Sequence, residues 1–570
     1  MDILNTMNVS TPSIMPPGCS MDNRQPSHRR TMPIAGARVL ALSIALLTSA
    51  GLAAGCGDSA PMQDGMRAHL YGPVGAENPF QDVGWMRLYV RGDGLDAPLG
   101  RFVRYLPGGA ADLEGIPFGA PGEMRQLVVE GWVDAGGQPS YIVSTGRSQW
   151  FEVRPEGEPL ELEVLFTRVN SIVELPASST GAAQRLQSGR MGAATTTSDR
   201  EVIVTGGGTL DVASAAWWKG EAFTRTIASV EVIDLATNAV SPRKDLLTPR
   251  VWHTATGLIY GQAIIAGGFG AAGERLSAVE LYNPPNVSGG DPAPLPGLAV
   301  PRAAHTATLI DAEQRLMLFV GGDASGTWEL WDPITGSHGA VALPDSKPRW
   351  HHQATAFTIP GRTEPGVLIT GGESGTEVHQ TSMLFDSVTK ELIPFGENMP
   401  GGARTQHAAV FVPDQNIIYL IGGFTNIGRT GVTDRIDAFD SGLVRFRADA
   451  AGLVLQTARG GLSAALLNDN RVLIAGGIGR DTPNGALKPL RSIELIYDFV
   501  DVATQLREIR ISSSYTTGGG GQIPTMNAER VGHSVVALPS GHGVVVGGAG
   551  INPQGGGFQP RLEVVAYNPQ

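Results

Sequence analysis

The stretch Val202-Ile203-Val204-Thr205-Gly206-Gly207 decides the fold, because six variants of it follow along the chain at intervals of about fifty residues. Each variant is a short run of apolar or β-branched residues that ends in a glycine pair. The other pairs are Gly267-Gly268, Gly321-Gly322, Gly371-Gly372, Gly422-Gly423, Gly476-Gly477 and Gly547-Gly548. Such residues favour strands and glycine marks strand ends, so the sequence predicts an all-β repeat protein.

Each glycine pair belongs to a longer unit that begins with an arginine. In five units a histidine follows that arginine by three residues: Arg250/His253, Arg302/His305, Arg349/His352, Arg404/His407 and Arg530/His533. The first and sixth units depart from this pattern, with Arg190/Ala193 and Arg459/Leu462. After the glycine pair comes a strand that ends in Ile233-Asp234, Tyr282-Asn283, Trp331-Asp332, Phe385-Asp386, Phe439-Asp440, Tyr497-Asp498 or Tyr567-Asn568.

This order of motifs resembles the kelch repeat over roughly residues 170–570. The resemblance implies a seven-bladed kelch-type β-propeller of four-stranded blades over residues 169–570. The seventh unit stops just after its third strand, and residues 169–176 have the pattern of a strand without a blade. We therefore expect residues 169–176 to pair with the last blade and close the ring. Glycine at the strand ends is expected where a side chain would collide with a neighbouring blade.

Residues 66–168 show four strand-like patches with alternating polarity, separated by Gly and Pro. Their spacing predicts a small antiparallel β-sandwich, immunoglobulin-like or transthyretin-like in architecture only. Such an architecture implies no particular activity.

Residues 1–55 are predicted to be a leader and a lipoprotein signal peptide, with a basic start and an apolar run from Val39 to Leu47. The end of this segment, Leu52-Ala53-Ala54-Gly55-Cys56, resembles a bacterial lipobox, although Ala53 stands where Leu is usual. The resemblance implies lipidation of Cys56, a tether over residues 56–65, and a place in the outer membrane or on the cell surface. A plain secretory signal is the alternative, and the start codon could be Met1, Met21 or Met32.

The amino-acid composition limits the ligands and activities that the chain can have. The 570 residues carry a net charge of −12 without a basic run, which argues against a nucleic-acid ligand. The two cysteines are Cys19 and Cys56, so the chain after Cys56 has no thiol for a disulfide or for catalysis. Some kelch propellers are copper oxidases with a tyrosine linked to cysteine, and a propeller without cysteine excludes that activity. No cofactor is expected, and the propeller is expected to be monomeric.

The five repeated histidines raise a metal hypothesis, which we weigh against a structural role. They recur once per unit and should be spread around a ring, whereas a metal needs three or four ligands about 2.0–2.3 Å from one ion. We therefore expect each Arg and His to bond backbone carbonyls between blades, and we predict no metal site. No nucleophile elbow or phosphate-binding loop occurs either.

Binding residues are predicted on the loops that leave the glycine pairs and on the loops that enter the Arg-x-x-His strands, which share one rim. Aromatic residues on such loops are common binding hot spots and stack on sugar rings. The candidates are Trp217, Trp218, Trp252, Phe269, Trp350, His379 and Phe424. For Trp217 and Trp218 the alternative is that they cap the first blade.

These features predict a lipid-anchored binding or scaffold protein of the cell envelope, whose rim recognises a protein or a carbohydrate. A carbohydrate-active enzyme, such as a sugar mutarotase or epimerase, is the alternative, and it requires acidic and basic side chains that converge at the axis. A structural envelope protein without a specific ligand is the third hypothesis.

Overall fold

A computed structural model describes residues 42–45, 66–74, 77–92, 95, 99–106, 120–155, 160–210, 217–219, 222–285, 292–359, 361–448, 452–480, 485–500, 507–511, 525–552 and 557–569. All of them lie in one compact unit, Leu40–Gln570. The described residues form β-strands and two short 3-10 turns, Ile259–Gly261 and Pro413–Gln415, but no α-helix. The all-β prediction is confirmed.

Residues 171–568 contain seven antiparallel sheets of four strands in their described part, which we number 1 to 7 along the chain. Sheet 1 has Ala194–Thr197, Glu201–Thr205, Val230–Asp234 and Val240–Arg243. Sheet 2 has Thr254–Gly257, Ala263–Ala266, Val279–Tyr282 and Ala293–Leu295. Sheet 3 has Thr306–Asp311, Leu316–Val320, Thr327–Asp332 and Gly336–Ser337, with Val341–Ala342 beside its third strand.

The remaining sheets repeat the same order. Sheet 4 has Gln353–Thr358, Pro365–Thr370, Ser382–Asp386 and Glu391–Phe395. Sheet 5 has Ala408–Val412, Ile417–Ile421, Ile436–Asp440 and Arg445–Phe446. Sheet 6 has Ser463–Leu466, Val472–Ala475, Ile493–Val500 and Arg507–Ile511. Sheet 7 has Val531–Ala537, Gly543–Ile551 and Val565–Asn568, with Phe558–Pro560 beside its second strand.

The fourth strand of sheet 7 comes from the other end of the repeat region. Ser171–Glu174 pairs antiparallel with Val565–Asn568, with Ser171 opposite Asn568 and Glu174 opposite Val565. The first strand of each sheet also lies against the first strand of the next, and that of sheet 7 lies against that of sheet 1. Two smaller sheets pair Gly208–Leu210 with Phe223–Thr226, and Ile478–Gly479 with both Arg459–Gly460 and Lys488–Pro489.

The glycine pairs lie where neighbouring sheets approach most closely. Gly206 and Gly207 both have positive φ, 56° and 95°, which glycine adopts without strain. A Cβ on Gly206 would lie 2.5 Å from the carbonyl oxygen of Arg250 in sheet 2. The strand before the pair, Glu201–Thr205, is buried throughout because sheets pack on both of its faces. The expected collision with a neighbouring sheet therefore explains the first glycine of the pair.

The N-terminal region consists of two sheets that share one apolar core, which includes Leu70, Leu88, Val129 and Val164. The three-stranded sheet has Leu42–Ala45, Met66–Tyr71 and Leu160–Leu165. The six-stranded sheet has Leu99–Arg104, Trp85–Arg91, Met124–Ala135, Gln138–Arg147 and Thr167–Arg168, with Phe151–Glu152 beside Met124–Ala135.

The expectation of a wholly antiparallel sandwich is wrong in one place. Met66–Tyr71 pairs parallel with Leu160–Leu165, because the first and last long strands of the region run side by side in the same direction. This region contacts the repeat sheets directly: Gln126 Nε2 donates to Pro539 O at 2.7 Å, and Asn238 Nδ2 donates to Tyr71 Oη at 2.6 Å.

Most of the predicted signal peptide and the tether, including Cys56, lie outside the described residues. Leu42–Ala45, from the apolar run of that segment, pairs antiparallel with Met66–Tyr71. Within the described ranges no helix is long and apolar enough to cross a membrane.

Candidate functional site

The seven repeat arginines hold the sheets together from inside. Each is fully buried, and each donates from Nη1 to the carbonyl of a glycine pair, as in Arg250 to Gly267 at 2.9 Å. These arginines bond backbone carbonyls, as predicted, but the carbonyls belong to the arginine's own repeat unit, so the expected placement between blades is wrong for them. Burial lowers the pKa of Arg250, while Glu280 opposes that shift.

Each arginine also has a carboxylate partner, which the sequence reasoning missed. The pairs are Arg190–Glu231, Arg250–Glu280, Arg302–Glu329, Arg349–Asp345, Arg404–Asp437, Arg459–Glu494 and, at 3.8 Å, Arg530–Glu563. A signal existed in four units, where this acid stands three residues before the closing Asp or Asn. In sheet 4 that position is Met383, and Asp345 from the preceding loop takes the role.

The five repeat histidines join neighbouring sheets. Four of them bond through Nε2 to a threonine hydroxyl of the preceding sheet: His253 to Thr205, His305 to Thr254, His352 to Thr306 and His407 to Thr370. Only His533 bonds a carbonyl, Ala475 O at 3.0 Å, so the predicted histidine partner is wrong in the other four. In those four units a threonine hydroxyl of the preceding sheet lies within hydrogen-bond distance of the imidazole, so the ring bonds the hydroxyl instead of a carbonyl.

Burial holds these imidazoles neutral. It lowers the pKa of His305 well below its usual range, and nearby Arg302 and Arg250 lower it further. The same holds for His533, whose pKa falls to about 3. In the described part of the chain, no three His, Cys, Asp or Glu side chains are grouped so as to hold a metal ion.

A second set of equivalent positions lies two residues after each repeat arginine. All seven have left-handed backbone, with φ between 49° and 65°. We call them the left-handed positions: Gly192, Trp252, Ala304, His351, Gln406, Gly461 and Gly532. Backbone N–H groups at six of them donate to the carbonyl of the counterpart in the adjacent sheet at 2.8–3.2 Å, which links sheets 1 to 6 in order and sheet 1 to sheet 7.

Non-glycine residues seldom adopt this conformation, and where they do the strain often marks a functional site. Trp252, Ala304, His351 and Gln406 are such residues. The rings of Trp252 and His351 are in edge contact at 5.5 Å, and His351 Nε2 bonds Trp218 O at 3.2 Å. Burial lowers the pKa of His351 to about 3, with a further contribution from Arg429.

A pocket of about 340 Å³ opens beside these residues, and we call it the aromatic pocket. Its walls come from loops of sheets 1 to 5 and include Trp218, Lys219, Phe269, Arg275, Trp350, His351 and Glu373. A volume of this size is in the range of small-molecule sites. Three of the predicted rim residues, Trp218, Phe269 and Trp350, therefore line one concave site.

The charged groups of the aromatic pocket are held in place. Arg429 makes a bidentate pair with Glu373, donates from Nε to Gln406 at 2.9 Å, and lies 4.5 Å from the ring of Trp218. Burial raises the pKa of Glu373, while the Arg429 guanidinium opposes that shift. Both oxygens of Glu373 are thus occupied by one guanidinium.

Arg275 is one of two cations among the described residues that line the pocket, the other being Lys219. Its guanidinium lies 5.5 Å from the ring of Phe269 and 5.8 Å from that of Trp350, and its Nε donates to Gly322 O at 2.9 Å. Cation–π contacts of this kind fix the orientation of the guanidinium. No carboxylate of a described residue lies within ion-pair distance of Arg275, and Lys219 is exposed at the same pocket.

Four predicted rim residues do not line the aromatic pocket, and for Trp217, Phe424 and His379 the expectation that they are displayed is wrong. Trp217 is only 2% exposed, because its ring packs on Trp218, Trp252 and Phe424 at 5.8–6.4 Å. Phe424 is fully buried in the same cluster, and buried His379 bonds Pro348 O at 3.1 Å. The capping alternative therefore describes Trp217 better.

Trp252 and Trp217 instead border a second cavity, of about 260 Å³, which the five repeat histidines line. Ala304 and His351 line both this cavity and the aromatic pocket. Two of the left-handed positions, Ala304 and His351, thus lie between the two spaces.

Comparisons with known proteins add little. No family model and no curated protein matches the chain. Among solved structures, it is similar to the one titled "Structure of YjhT", with 12% identity and a TM-score of 0.37, covering 67% of this chain and 99% of that one. A likeness this distant carries no conclusion about what the chain binds.

Proposed function

We propose that residues 169–570 form a seven-bladed kelch-type propeller and that residues 66–168 form a sandwich in front of it. Three observations support the ring: the seven sheets, the contacts of their first strands in cyclic order, and the pairing of Ser171–Glu174 with Val565–Asn568. A repeat sheet alone cannot bury both faces, so an open ring would lose stability.

Deletion of the closing strand tests this proposal. Removing Ser171–Glu174 should lower the melting temperature far more than removing Gly361–Glu364, four exposed residues of a turn. Equal melting temperatures in the two deletion variants, measured by calorimetry, would contradict the closed ring.

The propeller is proposed to bind a carbohydrate in the aromatic pocket. The observation that carries this proposal is the guanidinium of Arg275 held between the rings of Phe269 and Trp350 in a concave site. Sugar rings present C–H faces that stack on aromatic rings, and their hydroxyls and acidic groups bond an oriented guanidinium. A protein ligand is less favoured, because protein interfaces bury about 800 Å² per partner and this site is small and enclosed.

Titration with neutral and acidic mono- and oligosaccharides, followed by calorimetry and tryptophan fluorescence, tests the carbohydrate proposal. Trp350→Ala should weaken the best ligand about tenfold through lost stacking. Tyr260→Ala, at a ring that is 64% exposed on a turn of sheet 2, is the matched control and should not change the affinity. If no sugar binds, or if Trp350→Ala leaves binding unchanged, the proposal fails.

A carbohydrate-active enzyme is the second candidate. It is favoured by one observation, that Lys219, Arg275 and Glu373 bring charges of both signs to the same pocket. Binding is favoured over turnover because Arg429 occupies both carboxylate oxygens of Glu373, which leaves no free general base there. Turnover of the bound sugar by the wild type, lost in Glu373→Gln, would instead establish the enzyme.

Export and lipid anchoring at Cys56, with a place in the outer membrane or on the cell surface, are proposed from the sequence alone. Cleavage before Cys56 would remove Leu42–Ala45, the strand beside Met66–Tyr71. Cys56→Ser should move the protein from the detergent-soluble membrane fraction to the soluble fraction. Retention of the variant in the membrane would contradict anchoring through that residue.

A further inference from the structure

The six-stranded sheet of the N-terminal region has one face that the three-stranded sheet does not cover. Side chains on this face alternate between aromatic rings and guanidinium groups. We call it the ladder face, and it comprises Trp85, Arg87, Tyr89, Phe102, Arg104 and Trp132. Their common direction follows from the register, since Trp85 lies opposite Arg104 and Trp132, and Arg87 lies opposite Phe102.

The rings of the ladder face are held in fixed positions. The Arg87 guanidinium lies 4.7 Å from the ring of Tyr89 and 5.7 Å from that of Phe102, and Arg104 lies 4.7 Å from Trp85. Phe102 also meets Trp132 edge to face at 5.3 Å. A surface that is ordered before binding loses little side-chain entropy when a ligand arrives.

The same face remains open to solvent. Phe102 is 40% exposed, and the side chain of Arg104 is 54% exposed. Two carboxylates lie among the rings: Glu130 accepts the indole N–H of Trp132 at 2.9 Å, and Asp134 accepts that of Trp85 at 3.3 Å. Glu130 is buried and its other oxygen accepts the Tyr89 hydroxyl at 2.9 Å, whereas the side chain of Asp134, which pairs with Arg104, is 32% exposed and can accept a hydrogen bond from a ligand hydroxyl.

Positive charge exceeds negative charge at the end of the ladder face nearest sheet 6. Arg91 follows Tyr89 on the same strand, and Arg147 lies on the neighbouring register opposite Val128. The two guanidiniums repel each other, which adds to the effect of burial in lowering the pKa of Arg91. Arg87 lies 3.6 Å from Glu130 and Arg104 lies 3.1 Å from Asp134, so the excess rests on Arg91 and Arg147, with Asp469 near Arg91, on a chain whose net charge is −12.

This positive end adjoins a cavity of about 420 Å³ that is lined by Arg91, Gly92, Trp150 and Asn468. The guanidinium of Arg91 lies 5.8 Å from the ring of Trp150, and its Nε donates to Gln126 at 2.8 Å. The cavity therefore joins the ladder face to the contact between the N-terminal region and sheet 6.

We propose that the ladder face and this cavity bind an acidic polysaccharide. Successive sugar rings would stack on Phe102, Trp132 and Trp85, a hydroxyl would donate to Asp134, and an acidic group would lie at Arg91. The charge excess favours a polyanion, and the exposed Asp134 favours one that carries hydroxyl groups. A lipid surface is disfavoured because the pinned rings cannot insert between acyl chains.

Binding of the full chain to polygalacturonate tests this inference, with dextran as the neutral probe. We expect polygalacturonate to bind and its affinity to fall with added salt, whereas dextran binds at least tenfold more weakly, as loss of charge-assisted contacts implies. Phe102→Ala and Arg91→Gln should each weaken binding roughly tenfold, the effect of losing one stacked ring or one ion pair. Tyr260→Ala is the control for an exposed aromatic ring and should bind as the wild type does.

Three outcomes would overturn the inference. They are equal binding of dextran, unchanged binding by both variants at an unchanged melting temperature, and tighter binding of single-stranded DNA or of anionic phospholipid vesicles. Trp350→Ala should leave polygalacturonate binding to this face intact. The result is therefore separable from the fate of the aromatic pocket.

Discussion

Sheets 2 to 5 and sheets 6, 7 and 1 are held by the same buried arginine but differ at the left-handed position two residues beyond it. In sheets 2 to 5 that position carries a side chain: Trp252, Ala304, His351 or Gln406. In the other three sheets it is glycine. A side chain in this conformation costs on the order of 1 kcal/mol, so the first half of the repeats, sheets 2 to 5, holds strain that the second half, sheets 6, 7 and 1, lacks.

The glycines of the second half have a steric cause. A Cβ on Gly461 would lie 2.8 Å from the ring of Trp217, and one on Gly532 would lie 2.7 Å from Met191. Gly461 and Gly532 therefore pack closely against neighbouring side chains and line only the cavity of about 260 Å³, whereas Ala304 and His351 also line the aromatic pocket. The aromatic pocket thus borders the left-handed positions of sheets 3 and 4, and Trp218 and Lys219 of sheet 1 line it as well.

The largest expected effect on stability comes from removing the buried repeat arginine, which the two halves share. Arg302→Ala in sheet 3 should cost about 3–5 kcal/mol of unfolding free energy, because it leaves the buried Glu329 and Asp323 without their cation. Arg530→Ala in sheet 7 should cost less, since Glu563 lies 3.8 Å away and is 24% exposed. Denaturant unfolding of both variants measures the difference, and equal losses would contradict it.

Acid should weaken the contacts between sheets that the five repeat histidines make, in sheets 2 to 5 and in sheet 7. The folded pKa of His305 lies well below its unfolded value of 6.5, so the unfolded chain binds the proton first and stability falls as pH drops below about 6.5. Each such histidine contributes up to about 1.4 kcal/mol per pH unit.

His305→Leu introduces the residue that sheet 6 has at the equivalent position, Leu462. The substitution removes one histidine contact between sheets and leaves the other four. The variant should lose stability at pH 7 but show a shallower decline between pH 6.5 and pH 4.5 than the wild type. Thermal unfolding across that range measures the slope. An unchanged slope would show that His305 is not buried in its neutral form.

Gly461→Ala should be the next most damaging change. It forces a Cβ against Trp217 and places alanine at a φ of 65°, for a cost of about 2 kcal/mol. The tryptophan fluorescence spectrum should shift towards that of a more exposed ring, because Trp217 must move. A variant with wild-type stability and spectrum would refute the steric explanation of the glycine half.

Ala304→Gly should have the smallest effect. Relief of the left-handed strain and the greater freedom of glycine in the unfolded chain oppose each other, so the net change should stay within about 0.5 kcal/mol of zero. A loss above about 2 kcal/mol, measured by the same unfolding assay, would mean that the position is not strained.

The repeated arginine and glycine positions could be predicted from the sequence, but the aromatic pocket could not. The arginines and glycine pairs recur in register, and both do what the pattern indicates. The acid partners were also readable in part, as Glu231, Glu280, Glu329 and Asp437 stand three residues before Asp or Asn. No sequence pattern predicts that Arg275 and Lys219 line a pocket, because each occurs once and on a different loop.

The predicted rim residues show that the sequence next to a residue does not determine whether that residue is buried. Trp217 and Trp218 are neighbours in a polar, alanine-rich stretch, yet one is buried and the other lines the aromatic pocket. Their difference depends on Trp252, Phe424 and Gly461, which come from other repeats. Exposure on a loop is a property of what packs on it, and that packing is not encoded in the loop itself.

By itself, the sequence determined the all-β class, the period of the repeat and the residues of each joint, since strand propensity, glycine turns and recurring charges are local properties that repeat with the chain. Only the tertiary structure decided which aromatic rings are buried, which cations of the aromatic pocket lie without a carboxylate among the described residues, and which left-handed positions border a cavity. Those features arise between loops that are far apart in sequence, where side chains from different sheets compete for the same space.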